Sequence, residues 1–239
     1  MKLDVLAIGA HPDDIDLSCG GTVIKLAGQG YKVGITDLTE GELGTRGSRD
    51  LRLKEAEAAR IILGAIVRDN LQITDGNIEN TVENRLRLIR IIRRYRPDVL
   101  LIPHHTDRHP DHEHAHLLSR EAWFYAGLEK IATEDLGVSQ EPWRPRVYYH
   151  FMQWFEFIPS FIVDVSAEYD RRMEAVRAFR SQFFDAESNE RSTILSTPDF
   201  MEMLRTRLEY YGDRIGKRYG EPFFSPAPLQ IADLVALHG

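Results

Sequence analysis

Short apolar runs alternate with amphipathic stretches along the first hundred residues of the chain. Runs that end at Gly, Pro or a polar residue predict strands at Leu3–Ile8, Lys32–Leu38, Leu71–Ile73 and Asp98–Ile102. Apolar residues spaced three or four positions apart predict helices at Thr22–Gln29, Arg49–Leu63 and Val82–Tyr95. This alternation is typical of a parallel sheet covered by helices on both faces. We therefore expect an α/β, Rossmann-like three-layer sandwich with a mostly parallel sheet.

The second half of the chain continues the pattern with additional strands and helices. The sequence is helical in character over Glu113–Ile131 and again over Ala167–Phe184 and Pro198–Tyr219. Two further strands are expected at Val147–Gln153 and Phe161–Val165. No internal repeat and no Gly/Ser/Pro-rich linker interrupts the sequence, so residues 1–239 are expected to form a single domain.

Composition and charge narrow the class of protein. With 30 Lys and Arg against 37 Asp and Glu, the net charge of −7 argues against nucleic-acid binding, which requires a basic face. No apolar run reaches the length of a membrane span, and the N-terminus lacks the features of a secretory signal. The single cysteine, Cys19, excludes an internal disulfide. These features predict a cytoplasmic enzyme with neither nucleic acid nor membrane as partner.

Two short polar segments follow predicted strands. His11-Pro12-Asp13-Asp14 comes directly after the first strand, and His109-Pro110-Asp111-His112 comes a few residues after the fourth. Ligands of open parallel sheets bind outside the carboxyl ends of the strands, so both segments should lie at the same edge. Pro and Asp are also common in solvated capping loops. Two such segments at one edge nevertheless favour a metal site.

The residue types in these segments match the ligands of a catalytic zinc ion. Such an ion has three protein ligands and one open position for water. The natural set is His11, Asp14 and His112. Asp13 would then be free to take a proton from the bound water, and His109 could donate a hydrogen bond or a proton from the opposite side. Asp111 is expected to orient His109 through its other ring nitrogen.

Two alternatives belong to other functional classes. Two histidines and one carboxylate also suit a non-haem iron(II) oxygenase, although a neighbouring base such as Asp13 is not needed for oxygen activation. Gly20-Gly21-Thr22 could cradle a phosphate in a non-catalytic sugar- or nucleotide-binding module. The full dinucleotide fingerprint is absent, so these glycines are expected to permit close helix–strand packing instead. Cys19 is expected to be a small buried residue.

Together these motifs resemble a known family. His11–Asp14, Cys19–Thr22 and His109–His112 are similar to the motifs of the LmbE-like (PIG-L) zinc-dependent N-acetylglucosamine deacetylases. A closer resemblance is to the branch that acts on N-acetylglucosaminyl-malate in bacillithiol biosynthesis. It is carried by Ala7–Ala10, Asp37–Gly47, Asp107-Arg108 and Phe179–Phe183. The chain departs from many relatives at Asp16, where they carry Glu.

The resemblance implies metal-dependent hydrolysis of the acetamide of an acetylated glucosamine conjugate. It implies zinc as the cofactor, although Fe²⁺ or another divalent metal would suit the same ligands, and it implies a homo-oligomer. The implied metal ligands are again His11, Asp14 and His112. Asp13 is implied as general base, and His109 as the group that faces the tetrahedral intermediate.

Substrate contacts follow from the implied substrate. A malate group carries two carboxylates, which suit the planar forks of arginine side chains. Arg108, beside the second motif, and Arg52, at the start of the second predicted helix, are the candidates, and the resemblance implies that Arg52 contacts the sugar. Asp75, which follows the third predicted strand at the same sheet edge, is a candidate for holding sugar hydroxyls.

Overall fold

The computed structural model describes residues 1–183 and 189–233 of the chain. The strands are β1 Val5–Gly9, β2 Val33–Asp37, β3 Val67–Asn70, β4 Val99–Pro103, β5 Glu134–Asp135, β6 Val138–Ser139, β7 Val147–Phe151, β8 Phe161–Asp164 and β9 Gly220–Phe224. The helices are α1 Asp14–Ser18, α2 Gly20–Gly28, α3 Arg49–Leu63, α4 Val82–Tyr95, α5 Pro110–Tyr125, α6 Tyr169–Ala178 and α7 Phe200–Asp213.

Seven strands form one sheet in the order β3-β2-β1-β4-β7-β9-β8. The first five in this order run parallel, whereas β9 is antiparallel to both β7 and β8. The expected α/β fold with a mostly parallel sheet and additional C-terminal elements is confirmed. No described helix is both long enough and apolar enough to cross a membrane.

The sheet is covered on both faces, as β1 shows most directly. Leu6 and Ile8 belong to one apolar cluster, together with residues of α4 and α5. Val5 and Ala7 point the other way into a second cluster with residues of α2 and the end of α3. Because every residue of β1 is buried, its sequence is a continuous apolar run rather than an alternating one.

Helices α3 and α4 have the bounds that the sequence predicts. The Ser48 hydroxyl accepts a hydrogen bond from the Leu51 amide at the start of α3, and Gly64 ends that helix with a φ of 77°. This left-handed conformation is common after helices and favours glycine. The capping residues therefore mark these helices in the sequence itself.

The predicted third strand at Leu71–Ile73 is wrong, because β3 lies at Val67–Asn70. This strand carries Arg68 and Asn70, whose side chains are satisfied by buried partners, so an apolar pattern does not reveal it. The short helix α1, the strand β9 and the β5–β6 hairpin were also not predicted. Phe184, the last residue of one predicted helix, lies outside the described residues.

The glycine segment at the start of α2 does not offer a phosphate cradle. The buried carboxylate of Glu221, on β9, accepts hydrogen bonds from the amides of Gly21 at 2.9 Å and Thr22 at 2.7 Å. Its charge is balanced by Arg172, with Nε at 2.8 Å from Oε1. A Cβ atom on Gly21 would lie 2.9 Å from the Val165 side chain, so glycine permits the expected close packing. The amides that a nucleotide phosphate would need are already occupied.

Candidate metal and catalytic site

The loops after β1 and β4 meet at the carboxyl edge of the sheet. The two strands are hydrogen-bonded neighbours, so their ends lie side by side. The first loop carries His11 to Asp14, and the second leads into α5, of which His109 is the N-cap. The ligand atoms of His11, Asp14 and His112 all lie within 4.8 Å of one another. The structure therefore brings together the three residues predicted as metal ligands.

The ring of His11 is held by carboxylates on the side away from Asp14. Its Nε2 lies 3.0 Å from Asp75 Oδ1 and 3.3 Å from Asp111 Oδ2. Its Nδ1 lies 3.7 Å from Asp14 Oδ2. A proton on Nε2 is therefore shared with carboxylates, which leaves the Nδ1 lone pair directed towards Asp14.

His112 is oriented in the same manner by Asp107. The His112 Nδ1 lies 2.8 Å from Asp107 Oδ1, and its Nε2 lies 3.3 Å from Asp14 Oδ1. Asp107 is fixed in turn by the amides of His109 and Trp154. Two imidazole nitrogens and one carboxylate thus converge, each imidazole backed by a carboxylate, which is a donor set that fits a divalent metal. The same donors suit both Zn²⁺ and Fe²⁺.

A second group, formed by His11, His109 and Asp111, also has its ligand atoms within 4.8 Å. In this group the acceptor atoms are already engaged. The Asp111 amide donates to His109 Nδ1 at 3.2 Å, and the Gly76 amide donates to Asp111 Oδ2 at 2.8 Å. The group with Asp14 and His112 is therefore the better metal site.

The carboxylates around His11 and His112 stabilise the protonated, positively charged form of both rings. Burial by itself lowers the pKa of His112, but the charge of Asp14 and the hydrogen bond to Asp107 outweigh it and raise the value to about 9. Burial likewise opposes charge on His11, yet hydrogen bonds to Asp111, Asp14 and Asp75 raise its pKa well above the usual value. The local electrostatics thus suit a bound cation.

Asp13 lies beside the three proposed ligands and is paired with an arginine. Its Oδ2 is 3.2 Å from Arg52 Nη2, and both side chains are buried. Arg52 Nη1 also donates to the Gly41 carbonyl at 3.0 Å. A Cβ on Gly41 would lie within 2.6 Å of this guanidinium, so glycine is needed for the approach. The arginine fixes the carboxylate that the sequence predicts as general base.

Comparisons with known proteins agree with this geometry. The family model described as PIG-L, GlcNAc-PI de-N-acetylase, matches residues 6–123. Diacetylchitobiose deacetylase of Thermococcus kodakarensis is 32% identical over 235 residues, covering 91% of this chain and 80% of the relative. The chain belongs to the PIG-L deacetylase family. It is therefore a member of a group of metal-dependent enzymes that hydrolyse amide bonds.

Two further relatives show how widely the fold is used. The conserved protein TT1542 from Thermus thermophilus is 38% identical, with a TM-score of 0.87 over 97% of this chain and 98% of that chain. The 4-oxalmesaconate hydratase of Pseudomonas putida is 28% identical over 195 residues, covering 74% of this chain and 73% of the relative. The name hydratase describes the addition of water to a substrate rather than the hydrolysis of an amide bond.

The structure corrects the predicted partner of one PIG-L motif residue. The sequence predicts that the Asp111 carboxylate orients His109, but this carboxylate faces His11 and the Gly76 amide instead. The backbone amide of Asp111 is what contacts His109. Asp111 lies in the first turn of α5, and its carboxylate lies within reach of both histidines but makes its hydrogen bonds to His11 and the Gly76 amide.

Asp75 makes contacts within the protein that the sequence did not predict, and its contact with sugar hydroxyls stays a prediction. It lines the cavity, but its Oδ1 contacts His11 and its Oδ2 accepts the Leu43 amide at 2.9 Å. These contacts also favour a role in orienting His11. The contact of Arg52 with the sugar stays a prediction, since its guanidinium lines the cavity while paired with Asp13.

Arg68, on β3, is a functional residue that the sequence did not reveal. Its Nη2 donates to the Pro12 carbonyl at 2.7 Å, and its Nε and Nη1 pair with Asp37 at 2.7 Å and Asp16 at 3.1 Å. It therefore holds the loop between His11 and Asp13 through the Pro12 carbonyl. Asp16 contacts this arginine, and burial raises the pKa of Asp16 to about 7.

The site opens into a cavity of about 550 Å³. The cavity is lined by the proposed ligands and by Asp13, and the larger part of its lining is apolar. The apolar lining consists of Leu17, Leu43, Trp154, Ile194, Leu195, Phe200, Met203 and Leu204. Arg108 lines the same cavity and is exposed, with its guanidinium carbon 4.2 Å from the centre of a Trp154 ring.

Proposed function

We propose that this PIG-L protein removes the acetyl group from an N-acetylglucosaminyl conjugate. We further propose N-acetylglucosaminyl-malate, as in bacillithiol biosynthesis, as the substrate. One observation carries the proposal, namely the convergence of His11, His112 and Asp14 beside Asp13 in the cavity. Zinc as the metal, a homo-oligomer and a cytoplasmic location stay predictions.

The proposed ligands and Asp13 divide the chemistry between them. His11, Asp14 and His112 would hold a divalent metal, which would lower the pKa of a bound water and polarise a carbonyl oxygen. Asp13 accepts the proton of the attacking water as the C–O bond to the acetyl carbon forms. The same proton then passes to the sugar nitrogen as the C–N bond breaks. The oxygen and the second hydrogen of the water stay with the acetyl group as acetic acid, which ionises to acetate, while the first hydrogen leaves on the free amine.

His109 is placed to stabilise the oxyanion as a neutral donor. Burial lowers the pKa of His109, and the charges of His11 and His112 lower it further. Because its Nδ1 accepts the Asp111 amide, the proton of the neutral ring lies on Nε2. Loss of one donor to an oxyanion costs about 2.7–4 kcal/mol in the transition state. A neutral His109 that donates from Nε2 is sufficient for this role.

Arg108 supports the proposal that the substrate carries carboxylates. Its guanidinium lies against the face of Trp154 in the cavity, and it forms no ion pair with a carboxylate of the described residues. Stacking occupies the face of the guanidinium, which leaves its N–H edge to receive a carboxylate.

The decisive experiment measures acetate and free amine released from N-acetylglucosaminides that differ only in the aglycone. We expect equimolar acetate and amine, with the highest kcat/KM for the malate conjugate. A protein that releases no acetate from any member but hydrates an unsaturated dicarboxylate would contradict the proposal and favour the chemistry of the hydratase relative. A requirement for oxygen would instead support the oxygenase alternative.

A further inference from the structure

The cavity contains a further arginine that the sequence analysis did not single out. Arg207, on α7, lines the cavity together with Arg108. Its Nη1 donates to the carbonyl of Gln153, the residue before Trp154. The two guanidinium groups therefore flank the same short segment after β7, one against the Gln153 backbone and the other against the Trp154 ring.

Tyr211, Asp107 and Glu156 favour the charge of Arg207, but without a direct ion pair. Arg207 forms no ion pair with any carboxylate of residues 1–183 and 189–233. Asp107, the nearest acidic residue that lines the cavity, is already occupied by His112 and by the amides of His109 and Trp154. Burial, and then repulsion from Arg172, lowers the pKa of Arg207. A half-buried cation that contacts a carbonyl oxygen rather than a carboxylate keeps donors free for the carboxylate of a ligand.

Other charges that line the cavity are paired. Arg52 pairs with Asp13, and Asp14 and Asp75 face the imidazoles of His11 or His112. Among the described arginines that line the cavity, Arg108 and Arg207 are the two that form no ion pair, and apolar side chains line the same cavity. An apolar wall strengthens a charge-assisted hydrogen bond because it excludes water.

We propose that Arg207 and Arg108 together form an anion subsite that binds the carboxylates of the aglycone, which makes Arg207 a specificity-determining residue. This inference rests on the proposed function, since it concerns the group attached to the sugar. Two guanidinium groups match the two carboxylates of a malate aglycone. A sugar with a neutral aglycone gains nothing from this subsite.

The test compares Arg207→Gln with the wild-type enzyme on two substrates, N-acetylglucosaminyl-malate and methyl N-acetylglucosaminide. Glutamine removes the charge but retains an N–H donor for the Gln153 carbonyl. We expect kcat/KM for the malate conjugate to fall about ten- to a hundredfold, mostly through KM, with little change for the methyl glycoside. Arg207→Lys, which keeps the charge, should recover part of the loss.

Arg205→Gln is the matched control on the same helix. Arg205 pairs with Glu202 and Glu209 and does not line the cavity, so its replacement should leave both substrates unaffected. An equal loss on both substrates for Arg207→Gln would overturn the proposal and assign Arg207 to the support of Gln153. No loss on either substrate would overturn it as well.

A measurement on the wild-type enzyme keeps the proposal testable if the variants do not fold. Added salt should raise KM for the malate conjugate and not for the methyl glycoside, because salt screens a partly exposed ion pair. The same salt dependence for both substrates would contradict the subsite. Absence of acetate release from either substrate would instead refute the proposed function itself, so the two failures are distinguishable.

Discussion

Replacing Arg68 by methionine should destabilise the fold and weaken the metal site together. Arg68 is the cation between two buried carboxylates, with Nε at 2.7 Å from Asp37 and Nη1 at 3.1 Å from Asp16, and it also holds the Pro12 carbonyl. Removing one partner of a buried ion pair costs about 3–5 kcal/mol, since the remaining charge is left without compensation. We expect a loss of free energy of unfolding in this range.

The loss should depend on pH. Burial raises the pKa of Asp16 to about 7 and also raises that of Asp37. For a carboxyl whose folded pKa is raised, stability is present at low pH and is lost as the pH rises through the folded value. Without Arg68, protonation of these carboxyls is the remaining way to neutralise them. The deficit of Arg68→Met should therefore be larger at pH 8 than at pH 5.

Urea unfolding followed by circular dichroism at both pH values measures the loss, and chelator competition measures metal affinity. Asp16→Asn is the matched control, because it removes the surplus negative charge rather than the shared cation. We expect its stability loss to be well below that of Arg68→Met. If Arg68→Met lowers the free energy of unfolding at pH 8 by less than about 1 kcal/mol, the reasoning is refuted. Such a small loss would mean that water compensates the charges of Asp16 and Asp37. Unchanged metal affinity would show that the loop does not depend on this arginine.

Three further predictions concern the ligands, the base and a buried histidine. Replacement of His11, Asp14 or His112 by alanine should lower both bound metal and turnover, and a variant with full metal and full activity would remove that residue from the ligand set. Asp13→Asn should keep its metal by elemental analysis while kcat falls about 10²–10⁴-fold, so loss of the metal would place Asp13 among the ligands. Burial lowers the pKa of His150 to about 3, so this neutral imidazole stabilises the fold above pH 6.5, and the contribution is lost as the pH falls towards 3. The wild type should therefore lose about 2 kcal/mol of its free energy of unfolding between pH 7 and pH 5 through this group. His150→Phe should not show that part of the loss. Equal acid sensitivity of the two proteins in urea titrations would contradict this.

Much of this fold and of its proposed metal site is determined by local sequence. Helices α3 and α4 carry both their apolar periodicity and their capping residues, so their bounds follow from short segments. The meeting of His11 with His112 follows from a general property of parallel sheets, in which neighbouring strands end at the same edge. Periodicity and strand polarity are local or general features, which is why a single sequence shows them.

Only the tertiary structure determines which polar groups pair over long distances. Glu221 occupies the amides of Gly21 from 200 residues away, and nothing near either residue indicates that contact. Arg68 lies in a strand that apolar patterning misses because its charge is satisfied by residues of other elements. The Asp111 carboxylate contacts His11 and the Gly76 amide, which belong to loops distant in sequence, rather than the nearby His109. Arg207 reaches the cavity from a C-terminal helix that the sequence marks only as amphipathic. In each case the partner is selected by three-dimensional proximity and by the cost of leaving a buried charge or donor unpaired, neither of which has a periodic signature in the chain.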